Sequence, residues 1–210
     1  MILEFCAENF THIQTAIHRG AGRIELCDNL AVGGTTPSFG VIKAVIATAH
    51  MHKVPVMTMI RCRGGDFEYS TSEKQIMLAD AQLASQLGAD GLVFGALNGS
   101  TLDTPFAEEM AHIAQANGQQ LTFHMAFDEL DVDEQARAID NLAKLGIERI
   151  LTHGGPAGSD ILSNIQHLQD LQNYAGERLR ILPGGGIHTG NLHIVHQALQ
   201  FPEYHGTRIV

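Results

Sequence analysis

Leu87-Gly88-Ala89-Asp90-Gly91-Leu92-Val93-Phe94 sets a glycine where an amphipathic helix should stop and follows it with a short apolar run. Glycine tolerates the left-handed conformation that closes a helix, so the chain can turn straight into a strand. The device recurs at Arg19-Gly20-Ala21-Gly22-Arg23-Ile24 and at Leu145-Gly146-Ile147-Glu148-Arg149-Ile150. Repetition of helix, glycine and strand is how βαβ units look in sequence. Working outward, β-prone runs fall at 2–6, 23–27, 54–60, 91–94, 121–125, 149–152, 180–183 and 203–205. Between them, apolar residues keep helical spacing, as at Ile76, Leu83 and Leu87, then at Ala136, Ile139, Leu142 and Leu145. Eight strands with seven intervening helices predict an α/β fold with a parallel sheet, and closing it into a (β/α)8 TIM barrel removes both edges. A doubly wound open sheet is the alternative, but no Gly-x-Gly-x-x-Gly follows the first strand. No linker or composition shift divides the 210 residues, so residues 1–210 read as a single TIM-barrel domain. The chain stops at Val210 just after the eighth strand. The last outer helix is therefore expected to be lacking, with the outer faces of the first and eighth strands exposed.

The formal net charge is −10, with no block of like charges. Nucleic-acid binding calls for a basic stripe, which is absent, and the acidity disfavours anionic membranes. No apolar run approaches the length of a membrane span, and MILEFCAEN lacks the basic flank of a secretory signal. Cys6, Cys27 and Cys62 are odd in number and widely spaced, which fits reduced thiols in the cytoplasm better than a disulfide framework.

Barrel interiors are filled mostly by branched apolar side chains, so ionisable residues inside strands need a reason. Glu4 and Cys6 share one face of the first strand; Glu25 and Cys27 share one face of the second. Leu3, Phe5, Ile24 and Leu26 suit the helix layer, which leaves the Glu–Cys pairs pointing inward. Arg61 ends the third strand, His124 lies in the fifth with Asp128 beyond it, and Glu203 and His205 share a face of the eighth. These groups are expected to converge on one mouth, at the C-terminal strand ends where barrel active sites lie. A buried ion-pair network that only fixes strand register is the plainer reading. The chemical reading makes Glu25, Arg61, His124 and Asp128 candidate catalytic residues, with Glu and His as acid and base and Arg as an anion holder.

Pro183-Gly184-Gly185-Gly186-Ile187 follows the seventh strand and lets backbone N–H groups approach a ligand. Gly184, Gly185 and Gly186 are candidate anion binders, with Gly206 after the eighth strand completing the site and Arg63 reaching over from the Arg61–Phe67 loop. A plain tight turn would use the same glycines. The stretch from Asn29 to Pro37 looks like an ordered lid before a helix capped by Ser38. Cys6, Cys27, Met57 and Met59 offer soft sulfur on barrel strands, suited to Cu(I), although buried Cys and Met also serve as core filler. No C-x-x-C or H-E-x-x-H occurs. His12, His18, His112 and His193 fall on helical stretches and read as solvated surface residues.

With RIELCDNLAVGGTTPSFG (23–40), MIRCRGGDFEYS (59–70), GADGLVFGAL (88–97), TFHMAFD (122–128), RILT (149–152) and PGGGI (183–187) in order, the chain resembles the CutC family of copper homeostasis proteins. The resemblance implies a cytosolic barrel, a homo-oligomer (dimer or tetramer), and handling of copper as Cu(I), with Cys6 and Cys27 as metal ligands. Relatives usually carry Arg where this chain has Met125, which removes a cation and adds a sulfur. They also continue past the eighth strand into a closing helix. Two functions remain open at this point. One is Cu(I) binding through cysteine with Met or His support. The other is a metal-independent enzyme acting on a small phosphorylated or carboxylated metabolite. The partner is accordingly a copper ion or a small anionic ligand, and whether the chain is an enzyme stays undecided.

Overall fold

The fold is described by a computed structural model covering residues 1–156 and 158–210. Eight strands line the barrel: β1 (Ile2–Glu8), β2 (Arg23–Cys27), β3 (Val56–Met59), β4 (Gly91–Phe94), β5 (Gln120–Phe123), β6 (Arg149–Thr152), β7 (Arg180–Pro183) and β8 (Glu203–Gly206). Outside them lie α1 (Ile13–His18), α2 (Phe39–Met51), α3 (Thr71–Gln86), α4 (Thr104–Ala116), α5 (Val132–Lys144), α6 (Ile165–Ala175) and α7 (Leu192–Leu199). Every ladder of the barrel is parallel, in the order β8-β1-β2-β3-β4-β5-β6-β7, and a separate antiparallel pair joins 97–98 to 101–102. The expected (β/α)8 barrel is thus present. The fifth strand ends one residue before His124, because the next five residues wind into a 3-10 turn.

Gly20, Gly88 and Gly146, read as helix stops, all have positive φ. Ser38 caps α2 by accepting from the Val41 amide, and Ser70 and Glu73 form a reciprocal capping box at the start of α3. The expected apolar stripe of α3 is out of phase. Ile76 is half exposed, and the buried face is Met77, Leu78, Ala81 and Ala84. The inner face alternates Met77 and Leu78 with two alanines, so counting large residues alone marks the wrong side.

Two apolar regions reflect the alternation along the strands. Phe5, Ile24, Leu26 and Leu92 belong to the large core between barrel and helices, whereas Cys6, Cys27, Met57, Met59 and Val93 form a separate cluster within the barrel. Gly91 makes room for that inner cluster: a Cβ there would lie 2.0 Å from Met57 Cε and 2.6 Å from the Gln120 carbonyl oxygen.

β7 and β8 share no ladder among the described residues. Their seam is spanned by Arg180 Nη1, 3.8 Å from Glu203 Oε1, and further along by one isolated bridge between His188 and Arg208. The exposed outer face expected there is largely covered. Phe5 and Tyr204 are buried, Ile209 is buried after β8, and Val210 packs on the same core; Ile2 stays partly exposed. Tyr204 is anchored by its hydroxyl, which accepts from the Phe201 amide at 2.9 Å and meets His196 Nδ1 at 3.0 Å.

Candidate functional site

The barrel interior is layered. Its floor is an ion network that starts with Arg23, whose guanidinium bonds Glu4 through Nε and lies 2.6 Å from Glu203 Oε2 through Nη2. Arg149 Nε stands 3.6 Å from the same Glu203 oxygen, and its other nitrogens donate to Thr122 Oγ1 and Gln120 Oε1. All four charged side chains are buried. Burial works to raise the Glu4 pKa, but the Arg23 charge and the His205 hydrogen bond outweigh it and hold the carboxyl at about 2. Burial pushes the Arg149 guanidinium down, and the neighbouring Arg23 charge adds to that. Glu203, expected at the mouth beside His205, is instead part of this floor. It begins its strand, two residues before His205, and in a barrel that displacement changes the layer.

Above the floor, His205 Nδ1 lies 2.8 Å from Glu4 Oε1, and Nε2 lies 3.8 Å from Glu25 Oε1. That same Glu25 oxygen accepts from Cys6 Sγ at 3.4 Å and from Cys27 Sγ at 3.5 Å. Burial raises the Glu25 pKa well above the usual carboxylate range. For His205, burial is overcome by the acidic groups around it, and its pKa is raised well above normal. The Cys27 thiol, hydrogen-bonded to the Cys6 sulfur, draws Cys6 down to about 5 against the cost of burial, with help from His205. The same hydrogen bond, with burial, drives Cys27 up. The layer therefore loosens the proton on Cys6 and tightens it on His205, Cys27 and Glu25.

The loops roof this layer. Leu30, Val32 and Gly33 from the predicted lid line a cavity of about 380 Å³ together with Cys6, Glu25, Arg61, His124 and His205. Gly34 has φ +88, and a Cβ there would press within 3.1 Å of Cys27 Sγ. Arg61 pins the lid: Nη1 donates to the Val32 and Gly34 carbonyls at 2.8 and 3.0 Å, and Nη2 donates to Gly65 at 2.8 Å. Its guanidinium also lies 4.9 Å from the Phe67 ring centroid. His124 packs against Phe67 as well, with ring centroids 5.0 Å apart. Its Nδ1 accepts from the Ala126 amide at 3.1 Å, and Nε2 has no hydrogen-bond partner among the described residues. Burial, reinforced by the Arg61 charge, lowers the His124 pKa to about 3.

The remaining candidates are dispersed. Asp128 accepts from the Thr152 hydroxyl and, at 2.9 Å, from the His153 amide, so it ties the turn after β5 to the end of β6. Its pKa is raised by burial. Arg63 pairs with Glu73 at 2.5 Å and Asp66 at 3.0 Å, on the outer side of its loop. Gly185 and Gly186 adopt positive φ and line a second, larger groove of about 1010 Å³ with Met125, Asp128 and His153. The carbonyls of that turn are met from within the chain, Gly184 by His153 Nδ1 at 3.1 Å and Gly186 by Asn191 Nδ2 at 2.9 Å. Gly206 is required by packing, since a Cβ would lie 2.4 Å from the Ile187 carbonyl oxygen.

The structure thus brings Cys6, Glu25, Cys27, Arg61 and His124 together and leaves Asp128, Arg63 and the triple glycine to one side. Arg23, Arg149 and His153 carried no weight in the sequence reading. Period-two counting from Glu25 would have flagged Arg23, and His153 follows β6 as His124 follows β5. His12, His18, His112 and His193 are exposed, as expected. No helix is long and apolar enough to cross a membrane among the described residues.

Comparison with known proteins places these residues in context. The model of the CutC family matches residues 1–210. A CutC family protein of Enterococcus faecalis is 57% identical over 212 residues, covering 100% of both chains. A human protein named copper homeostasis protein cutC homolog is 40% identical over 206 residues, covering 97% of this chain and 72% of its own. The crystal structure of a Streptococcus agalactiae protein described as a copper homeostasis protein CutC superposes with a TM-score of 0.95 at 43% identity, covering 100% of each chain.

Proposed function

Because the chain belongs to the CutC family, we propose that it serves copper homeostasis by binding Cu(I) between Cys6 and Cys27 inside the barrel mouth. The observation that carries this reading is the convergence of the two thiols. Cys6 Sγ, Cys27 Sγ and a Glu25 carboxylate oxygen all lie within 4.8 Å of one another. Cu(I) favours soft sulfur, and two buried cysteines from adjacent strands supply it. Met59 belongs to the same inner cluster and adds a thioether close by.

The donor set fits the ion chemically. Cys6 is poised as a thiolate at neutral pH and Cys27 surrenders its proton on metallation, so uptake releases protons and weakens on acidification. Glu25 stands hydrogen-bonded to both sulfurs and is placed to orient them. His205, held by Glu4, offsets the negative charge that two thiolates accumulate. A reducing compartment such as the cytoplasm keeps both thiols available, which agrees with a cytosolic site of action.

An anaerobic Cu(I) titration against a competing chromogenic chelator tests the proposal. One ion per chain is expected in the native protein, with loss of competitive binding in Cys6→Ser/Cys27→Ser. Affinity unchanged in that double variant, or no uptake by a natively folded protein, removes the basis for the reading.

A further inference from the structure

The mouth cavity has a polar wall that copper binding leaves unused. His124 is 4% exposed, yet its Nε2 has no partner among the described residues although the side chain lines the cavity. A buried imidazole N–H without an acceptor costs folding free energy, and such orphans call for a bound group. The ring is held with care. Gly95 backs it so closely that a Cβ would lie 2.4 Å from both Cε1 and Nδ1, and Phe67 covers its face. The Ala126 amide donates to Nδ1, which in a neutral ring leaves the proton on Nε2, an unpartnered donor on a ring that lines the cavity. The ring does stay neutral, because burial and the Arg61 charge oppose a second proton.

Arg61 supplies the second, independent observation. It is 3% exposed and lines the same cavity, but each of its hydrogen-bond acceptors is an uncharged carbonyl, at Val32, Gly34 and Gly65. No carboxylate pairs with it among the described residues, and its Nε is also without an acceptor. Tyr69 stands near this guanidinium but brings no charge. The other cations inside the barrel, Arg23, Arg149 and His205, are matched by Glu4 and Glu203. Arg61 is therefore a buried charge awaiting a counter-ion, an arrangement that costs free energy unless something anionic enters.

We propose that the mouth cavity binds a small organic carboxylate, one oxygen of which accepts a hydrogen bond from His124 Nε2–H in the field of Arg61. Glu129 also lines the cavity but is exposed and forms no pair with Arg61 among the described residues, so one buried unpaired cation suits one negative charge better than a phosphate dianion. The volume, about 380 Å³, suits a compound of a few carbons. Glu25, which lines the same cavity, has a further buried oxygen, Oε2, without a partner among the described residues. This pocket goes beyond the copper reading, and the two stand or fall separately.

The test follows the His124 ring directly, by imidazole proton–nitrogen correlation spectra of histidine-labelled, metal-free protein. Acetate, glycolate, pyruvate and inorganic phosphate are the probes. A saturable shift of the His124 Nε2 resonance with at least one carboxylate is expected, and isothermal titration calorimetry with that carboxylate is expected to show binding weakened roughly tenfold or more in His124→Gln. Cys6→Ser/Cys27→Ser is expected to keep the carboxylate response, and His124→Gln to keep Cu(I) uptake, which also shows that the variant is folded. A ring signal that no carboxylate moves, or equal affinity in His124→Gln, overturns the proposal. Tighter binding of phosphate than of every carboxylate overturns the ligand class.

Discussion

Acid is expected to destabilise this protein through His124 in a way that a single substitution can isolate. The folded ring has a pKa of about 3, lowered by burial and by Arg61, against about 6.5 in an unfolded chain. Above that unfolded value neither state binds the proton, and the contribution to stability is fully present. As the pH falls below it, the unfolded chain takes up a proton that the folded ring refuses. The native state then loses about 1.4 kcal/mol per pH unit, approaching about 5 kcal/mol once the folded pKa is reached. Glu4, held at about 2, Cys6, held at about 5, and Asp128, raised by burial, are shifted as well, so the wild-type curve alone is a composite. The informative quantity is the difference between wild type and His124→Gln, measured by urea unfolding of the metal-free proteins from about pH 7 to about pH 4. The wild-type curve is expected to fall more steeply than the variant's by about the slope above. Parallel curves would refute the argument, because they would mean that the ring is protonated as readily in the folded protein as in the unfolded one.

Two further outcomes follow from the interior layers. Glu203→Gln leaves Arg23 and Arg149 buried without their shared counter-charge, and chemical denaturation is expected to show a loss of about 3–5 kcal/mol; a change within error would mean that the floor network is not what holds those guanidiniums. Cys6 and Cys27 are expected not to form a disulfide under mild diamide oxidation, despite their neighbouring sulfurs. Cys6 faces Glu25 and Cys27 faces Glu8, so the two are offset by two residues on adjacent strands. That spacing puts their Cα atoms about 8 Å apart, beyond the roughly 7 Å a disulfide can span. Non-reducing peptide mapping checks this, and a Cys6–Cys27 cross-link would contradict the register.

The barrel was readable because its signals are local. Strand alternation alone sent Glu4, Cys6, Glu25 and Cys27 inward, and the glycines at 20, 88 and 146 marked where helices hand over to strands. What was not readable depends on relations between distant segments. Glu203 and His205 share a face by period two, but only the stagger of β8 against β1 and β2 decides that one sits in the floor and the other beside the thiols. Asp128 looked catalytic beside His124, yet a 3-10 turn carries it to the end of β6, where it binds backbone and hydroxyl groups. The α3 stripe was misphased because large residues draw the eye, whereas two alanines share the buried face with Met77 and Leu78. His153 belongs to no motif, and its position directly after β6 was the only available sign.

The seam between β7 and β8 has a consequence for how such a chain can vary. A hydrogen-bonded ladder accepts only whole-residue registers, and a slip of one residue turns every side chain to the opposite face. Between Arg180 and Glu203 the requirement is a distance, which a long side chain can meet from a range of backbone positions, and backbone register enters only beyond the strands, at the His188–Arg208 bridge. The α7 connection can therefore gain or lose a residue and still let β8 dock on β1, whose ladder sets its height. In this barrel the place where closure is least exacting is also where length polymorphism is best absorbed. His205, carried on the β1 side of that joint, stays at its station over Glu4 while the connection changes.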